Sequence, residues 1–159
     1  MTSPAEKILP KMQATHQELV TLIKGLDQET LNRRPPEGGW SIRENLAHLV
    51  DAERAHRRFV EAVLEGRPIR RLEGFDLDRW NEERVARRAN QSADELLEAL
   101  EAERRETLAL IAALPDDAWE KEGDHPVLGR VSVQYVLKII GIHERMHLKE
   151  MRQLASIQA

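Results

Sequence analysis

Cysteine is absent from this 159-residue chain. Disulfide bonds, thiolate ligands for a metal and cysteine nucleophiles are therefore excluded, and any thiol chemistry requires a thiol from a second molecule. Aromatic residues make up only 4% of the sequence, which leaves leucine, isoleucine, valine and alanine to build the core. Together with a charged fraction of 33%, this composition is typical of a soluble helical protein.

Long apolar runs and an excess of positive charge are missing as well. No stretch approaches the roughly 20 apolar residues that span a bilayer, and residues 1–12 lack the apolar centre of a signal peptide. We therefore expect a cytoplasmic protein with no membrane partner. The net charge is −4, and acidic residues dilute the arginine-rich stretches 67–71 and 84–88, so we also expect no nucleic-acid partner.

Four long helical patterns divide the chain. Their predicted bounds are 4–26, 41–66, 92–114 and 132–157. The second and third open with capping boxes, Ser41-Ile42-Arg43-Glu44 and Ser92-Ala93-Asp94-Glu95, in which the serine accepts a backbone N–H and the glutamate reaches back. Gly66 and Pro115 end these two helices.

A long connection, residues 69–91, separates the second helix from the third, and we expect a short helix at about 76–88 within it. No linker rich in proline, glycine or serine divides the chain, so residues 1–159 are predicted to form one domain. The fold class indicated is all-α, a four-helix bundle with a long middle crossover.

The motif with the clearest chemical meaning is His143-Glu144-Arg145-Met146-His147. Histidines four apart lie one turn apart on one helix face, so their imidazoles can converge on a divalent metal. The same H-E-x-x-H sequence marks zinc peptidases, in which the glutamate is the general base. Those enzymes take a third ligand downstream, but Glu150 and Gln153 replace the glycine and histidine of the extended motif. We therefore expect no peptidase, and Glu144 is left as a candidate catalytic residue, as a partner of an imidazole, or as a solvent-facing residue.

A third metal ligand must then come from upstream, and the chain offers four histidines there. His125 falls in a predicted loop, residues 123–129, and His16 is expected at an exposed position of the first helix. His48 lies beside the apolar face of the second helix. His56 lies two turns further along and about 80° round that helix, where it is expected to support the ligands or to face solvent.

The sequence resembles the DinB-like superfamily over roughly residues 6–154. The resemblance rests on Trp40-Ser41-Ile42 followed by Leu46 and His48, and on the H-x-x-x-H near the end of the chain. It implies an up-down-down-up four-helix bundle with a three-histidine site for a divalent metal, usually zinc or nickel. Carried over residue by residue, the implied ligands are His48, His143 and His147, and a homodimer is implied as well.

That family includes bacillithiol S-transferases and mycothiol-dependent maleylpyruvate isomerase. The resemblance thus implies a metal-dependent enzyme, a thiol S-transferase or a hydrolase, that acts on a small-molecule substrate with a low-molecular-weight thiol as possible co-substrate. Two alternatives stay open: a non-enzymatic stress-response bundle with a structural or sensing metal, and a metal-free bundle with buried histidines. A di-iron site is disfavoured because Glu144 and His147 lack a matching second E-x-x-H pair. Whether Trp40 and Trp80 close a pocket or pack in the core is left open.

Overall fold

The structure, a computed structural model, describes residues 2–70 and 73–157, which form six α-helices and one β-hairpin. The helices are α1 (Pro4–Lys24), α2 (Gln28–Asn32), α3 (Ile42–Glu65), α4 (Leu77–Arg87), α5 (Ala93–Ala113) and α6 (Val133–Ala155). The strands are β1 (Glu122–His125) and β2 (Gly129–Ser132), which pair antiparallel.

The four long helices, α1, α3, α5 and α6, form an up-down-down-up bundle. Helix α3 packs against α5 and α6, and α1 packs against the same two helices. Helix α4 lies in the crossover between α3 and α5 and packs chiefly on α3. The prediction of an all-α bundle with a short helix in a long middle connection is confirmed. No helix among the described residues combines the length and the apolarity needed to cross a bilayer.

The apolar core of the bundle has two halves. Leu46 of α3 and Leu100 of α5 belong to one half, whereas Val60 of α3 and Ile111 of α5 belong to the other. Between these positions both helices turn charged side chains inward, and so do the facing stretches of α1 and α6. A charged layer therefore crosses the middle of the bundle.

Arg104 of α5 is the centre of this charged layer. Its Nε donates to Glu53 Oε1 at 2.6 Å and its Nη1 to Glu144 Oε1 at 3.2 Å. The other carboxylate oxygen of Glu144 accepts from His16 Nδ1 at 2.9 Å. One sequence-based expectation is therefore wrong, because His16 is not exposed. Of the roles left open for Glu144, facing solvent is excluded by its burial, and its carboxylate accepts hydrogen bonds from His16 and Arg104 rather than from a ligand imidazole. The guanidinium explains why, since it compensates the burial of a carboxylate that otherwise could not leave water.

A β-hairpin replaces the loop that was expected at residues 123–129. Its approach to the bundle depends on Gly123, where an added Cβ would lie only 2.6 Å from Val63 Cγ2. Gly129 closes the turn with a φ of 77°, a left-handed conformation that favours glycine. The hairpin therefore lies against α3 and leads directly into α6, whose first turn is capped by Ser132.

The start of α3 matches its predicted capping box. Ser41 Oγ accepts from Glu44 N at 3.1 Å, and Glu44 Oε1 accepts from Ser41 N at 3.1 Å. Because this cap is buried, we expect Ser41→Ala to lower the free energy of unfolding by about 1 kcal/mol. Urea denaturation measures this loss, with Ser41→Thr, which keeps the hydroxyl, as the control. Equal midpoints for the wild type and Ser41→Ala would contradict the prediction.

Candidate metal centre

Three imidazoles converge where α3 packs against α6. His48 lies in the second turn of α3, and His143 and His147 lie in the middle of α6. The Nε2 atom of His143 is 3.1 Å from Nε2 of His48 and 3.1 Å from Nε2 of His147. Each of the three residues offers a ring nitrogen within 4.8 Å of the others. Among the described residues this is the one group of three or more potential ligands that meets so closely.

Asn45 orients one of these imidazoles. Its side-chain Nδ2 donates to the carbonyl oxygen of Ser41 at 3.0 Å, which leaves its Oδ1 to accept from His147 Nδ1 at 2.8 Å. The proton of a neutral His147 is thereby held on Nδ1, so the lone pair of Nε2 faces the other two rings. Asn45 lies three residues before His48 on α3 and therefore shares the helix face of that ligand. This spacing is the sequence signal by which Asn45 could have been identified.

The three imidazoles are neutral at neutral pH. Burial, together with the other nearby histidines, lowers the pKa of His48 to about 3. Burial lowers the pKa of His143 and of His147 to about 4. A metal binds the neutral form of imidazole, so the site already holds its nitrogens in the form that a metal requires.

The donor set fits a divalent transition metal. With Zn–N bonds of about 2.0–2.1 Å, tetrahedral ligand nitrogens lie roughly 3.3 Å apart, close to the 3.1 Å separations found here. Imidazole suits zinc and nickel, whereas calcium and magnesium prefer oxygen ligands. Three protein ligands also correspond to the number found in catalytic rather than structural zinc sites.

An apolar cavity of about 540 Å³ opens beside the triad, with His48 and His143 in its wall. Phe59 of α3, Trp80 of α4 and Ile139 of α6 contribute to the rest of its lining. Further apolar lining residues are Ala52, Ala55, Ala62, Pro68, Ile69, Phe75, Leu77, Pro126, Val127 and Leu128. The open question about Trp80 is thereby answered, since its ring forms part of a pocket wall.

A second cavity, of about 510 Å³, reaches the triad from the side of His147. Its wall combines apolar side chains with acidic ones, including Glu82 and Glu150. Trp40 lines it too, with its ring centroid 5.0 Å from that of His48. Trp40 also packs against the core of the bundle, so it serves as both core residue and cavity wall.

The remaining candidate ligands lie outside the triad. His56 and His125 pair with each other, His56 Nδ1 to His125 Nε2, at 3.2 Å. Both line the apolar cavity, and burial lowers the pKa of His56 to about 3 and lowers that of His125. His125 is a buried residue at the end of β1 rather than a loop residue. This pairing joins α3 to the hairpin, and it could not be predicted from local sequence because the two residues are 69 positions apart.

A model of the DinB superfamily matches residues 11–151 of the chain. Among similar proteins, YuaE of Bacillus subtilis is 28% identical over 141 residues, which cover 83% of this chain and 87% of that protein. A protein of Bacillus cereus named "Putative metal-dependent hydrolase" is 27% identical over 138 residues, covering 86% of this chain and 77% of its own length.

Solved structures share the fold at low sequence identity. YfiT of Bacillus subtilis, described as "a probable metal-dependent hydrolase with an unusual four-helix bundle topology", aligns with a TM-score of 0.75 at 18% identity, over 94% of this chain and 85% of YfiT. The colibactin self-resistance protein ClbS, solved in complex with double-stranded DNA, aligns with a TM-score of 0.79 at 13% identity, over 98% and 97%. Because ClbS was solved with DNA, the expectation that this chain has no nucleic-acid partner is not supported.

Proposed function

The chain belongs to the DinB superfamily, and on that premise we propose that it is a cytoplasmic metal-dependent enzyme acting on small molecules. His48, His143 and His147 are the proposed ligands of one divalent ion, zinc or nickel. The observation that carries the proposal is the convergence of three neutral imidazoles in the wall of an apolar cavity. Relatives named as metal-dependent hydrolases support the dependence on a metal.

Thiol S-transfer is the specific reaction that we propose. When bound, a divalent ion supplies Lewis acidity that lowers the pKa of a thiol or a water molecule. The chain's own residues hold the ion, orient His147 through Asn45 and surround an apolar substrate. Because the chain has no cysteine, the thiol comes from a second molecule. S-transfer requires two organic substrates, whereas hydrolysis requires one organic substrate and water. The two cavities beside the triad therefore favour S-transfer.

Glu144 has no part in this proposal as a catalytic base. Its two carboxylate oxygens accept from His16 and Arg104, and the residue is buried in the charged layer. A base must reach the proton that it removes in a plausible substrate pose. We therefore assign Glu144 to the stability of α6 and, through α6, to the placement of the two histidines beside it.

A non-enzymatic role for the metal is the competing function. A structural metal is saturated by protein ligands, whereas three imidazoles leave a position open. The apolar cavity beside the triad gives a small molecule access to that position, which supports the enzyme.

Turnover tests the proposed reaction directly. The purified protein, loaded with zinc or nickel, is mixed with 1-chloro-2,4-dinitrobenzene and one thiol at a time: bacillithiol, mycothiol, glutathione or cysteine. We expect thioether formation above the uncatalysed rate with at least one thiol, and its loss on adding EDTA or in His143→Ala. Rates equal to the uncatalysed reaction with every thiol, in a protein that carries its metal, would refute S-transfer.

A homodimer is the assembly that we propose, through the outer face of α6. Tyr135, Ile142 and Met146 are 46%, 52% and 61% exposed, and their spacing of seven and four places them in one stripe of the helix. Such a stripe on a long helix favours contact with a second copy. We expect Ile142→Asp to convert a dimer to a monomer in light scattering after gel filtration.

Ala102→Asp is the control for this experiment, because it adds the same charge at an exposed position of α5. It is expected to leave the dimer intact. A wild-type protein that runs as a monomer at every concentration tested would contradict the proposed assembly, but it would not contradict the proposed metal site.

A further inference from the structure

His56 and His125 form a hydrogen-bonded pair in the wall of the apolar cavity, apart from the three proposed ligands. His56 Nδ1 and His125 Nε2 are 3.2 Å apart, and the two rings are stacked with centroids at 5.1 Å. The centroid of His56 is also 6.4 Å from that of His143. The pair therefore lies in the cavity wall beside the triad, and the proposed function gives it no role.

The backbone of the hairpin turn determines which nitrogen of His125 carries the proton. The N–H groups of Val127 and Leu128 both donate to His125 Nδ1, each at 3.1 Å. A ring nitrogen that accepts hydrogen bonds carries no proton, so the proton of a neutral His125 is on Nε2. This N–H donates to His56 Nδ1, and the proton of His56 is consequently on Nε2.

This arrangement is held by the packing of the hairpin on α3. Gly123 lets β1 approach closely, because a Cβ at that position would lie 2.6 Å from Val63 Cγ2 and 3.3 Å from Phe59 Cζ. The ring of His125 packs edge-on against Phe59 at 4.8 Å between centroids. The partner of His56 is thus fixed by a rigid element rather than by a free loop.

A neutral His56 held in this tautomer donates a hydrogen bond from Nε2, and it does not act as a base because the N–H of His125 occupies the lone pair of its Nδ1. Loss of the Nε2 proton would leave an imidazolate, and a second proton on Nδ1 would face the N–H of His125. We propose that His56 Nε2–H is a fixed donor that binds the carbonyl or other acceptor oxygen of an apolar molecule in the cavity. None of the hydrogen bonds found among the described residues uses His56 Nε2, and His56 lines the apolar cavity, so this N–H is available for a ligand.

The inference rests on the proposed function only in taking the apolar cavity as the place of the substrate. It names the substrate class more closely, as apolar compounds with an acceptor oxygen, since a neutral N–H in an apolar wall favours an oxygen over a bare hydrocarbon. Neither experiment below requires turnover, so failed turnover and failure of this inference are distinguishable.

The first experiment reads the tautomers in the wild-type protein. Long-range ¹H–¹⁵N correlation spectra of histidine-labelled protein at pH 7 are expected to give a protonated Nε2 and an unprotonated Nδ1 for both His56 and His125. In His125→Phe the lock is removed, and the His56 shifts are expected to move toward an average of the two tautomers. A proton on Nδ1 of His56 in the wild type would overturn the inference, whatever the variants do.

The second experiment compares two probe ligands of similar size, butyrophenone and butylbenzene, in NMR titrations. Only the ketone can accept a hydrogen bond. In His56→Phe the affinity for butyrophenone relative to butylbenzene is expected to fall by about 3- to 10-fold, the size of one neutral hydrogen bond. In His56→Gln, which keeps an N–H donor, the relative affinity is expected to stay near that of the wild type.

An unchanged ratio of the two affinities in His56→Phe would overturn the assignment of His56 as the donor. Metal content, measured on the same samples, is expected to be equal in the wild type and in both His56 variants, because His56 lies outside the triad. If His56→Phe fails to fold, the wild-type spectra and His56→Gln still decide the question.

Discussion

His143→Ala is expected to abolish stable binding of zinc or nickel, with a fall in affinity of more than 100-fold. Loss of a residue that hydrogen-bonds to a metal ligand already lowers metal affinity by about 10–100-fold. His143→Ala removes a ligand itself and leaves only two imidazole nitrogens for the ion. His143 is central, because its Nε2 is 3.1 Å from each of the other two. The wild type is expected to hold one ion per chain by elemental analysis, with affinity measured by competition against a chelator.

Asn45→Ala provides a graded comparison in the same assay. It keeps every ligand but removes the acceptor for His147 Nδ1 at 2.8 Å, so we expect a fall in affinity of about 10-fold. His16→Asn is the control for His143→Ala, because it removes an imidazole that lies outside the triad. The asparagine amide can still donate to Glu144, so metal affinity is expected to stay at the wild-type value. Wild-type affinity in both His143→Ala and His48→Ala would show that the metal, if present, binds elsewhere.

Arg104→Met is expected to lower the free energy of unfolding by about 3–5 kcal/mol. The substitution preserves much of the side-chain volume but leaves the carboxylates of Glu53 and Glu144 buried without their cation, and an uncompensated buried charge destabilises by that amount. Urea denaturation measures the loss. Arg54→Met is the control, because Arg54 is partly exposed and pairs with Glu103, where an ion pair contributes less than about 1 kcal/mol.

The pH dependence separates lost charge from lost packing. Burial already raises the pKa of Glu53, and Arg104 opposes that rise. Without the guanidinium the pKa rises further, so protonation at lower pH relieves the penalty and the loss is expected to be smaller at pH 5 than at pH 8. Addition of Glu53→Gln to Arg104→Met is expected to restore part of the stability. A loss independent of pH and of Glu53→Gln would point to packing instead.

Local chemistry made the helices predictable. The capping boxes at Ser41 and Ser92 and the left-handed Gly66 act within one turn of the chain, so sequence alone places the starts of α3 and α5 and the end of α3 correctly. The hairpin at residues 122–132 was missed because four-residue strands are too short to display an alternating pattern. The Pro126-Val127-Leu128 segment between the strands is equally compatible with a loop.

The sequence predicts the spacing of the site histidines along α6, but it does not predict how α6 is rotated about its own axis relative to the core. His143 and His147 share a face by arithmetic, but neighbouring residues on a helix differ by about 100°, and only packing decides which one turns inward. The spacing predicts a shared face for the two histidines, but Glu144 and Leu148 hold the fully buried positions and the histidines are only partly buried. Arg104, 40 residues away, makes the burial of Glu144 possible, and no local pattern reveals such a partner.

Helix α4 links the two cavities through one residue, Asn81, which lines both. Since α4 packs chiefly on α3, the two cavities share this helix as a common wall. A ligand in either cavity can contact Asn81, so binding on one side is expected to change the affinity on the other. By thermodynamic linkage the effect is reciprocal, and titration of each cavity's ligand with and without the other measures it.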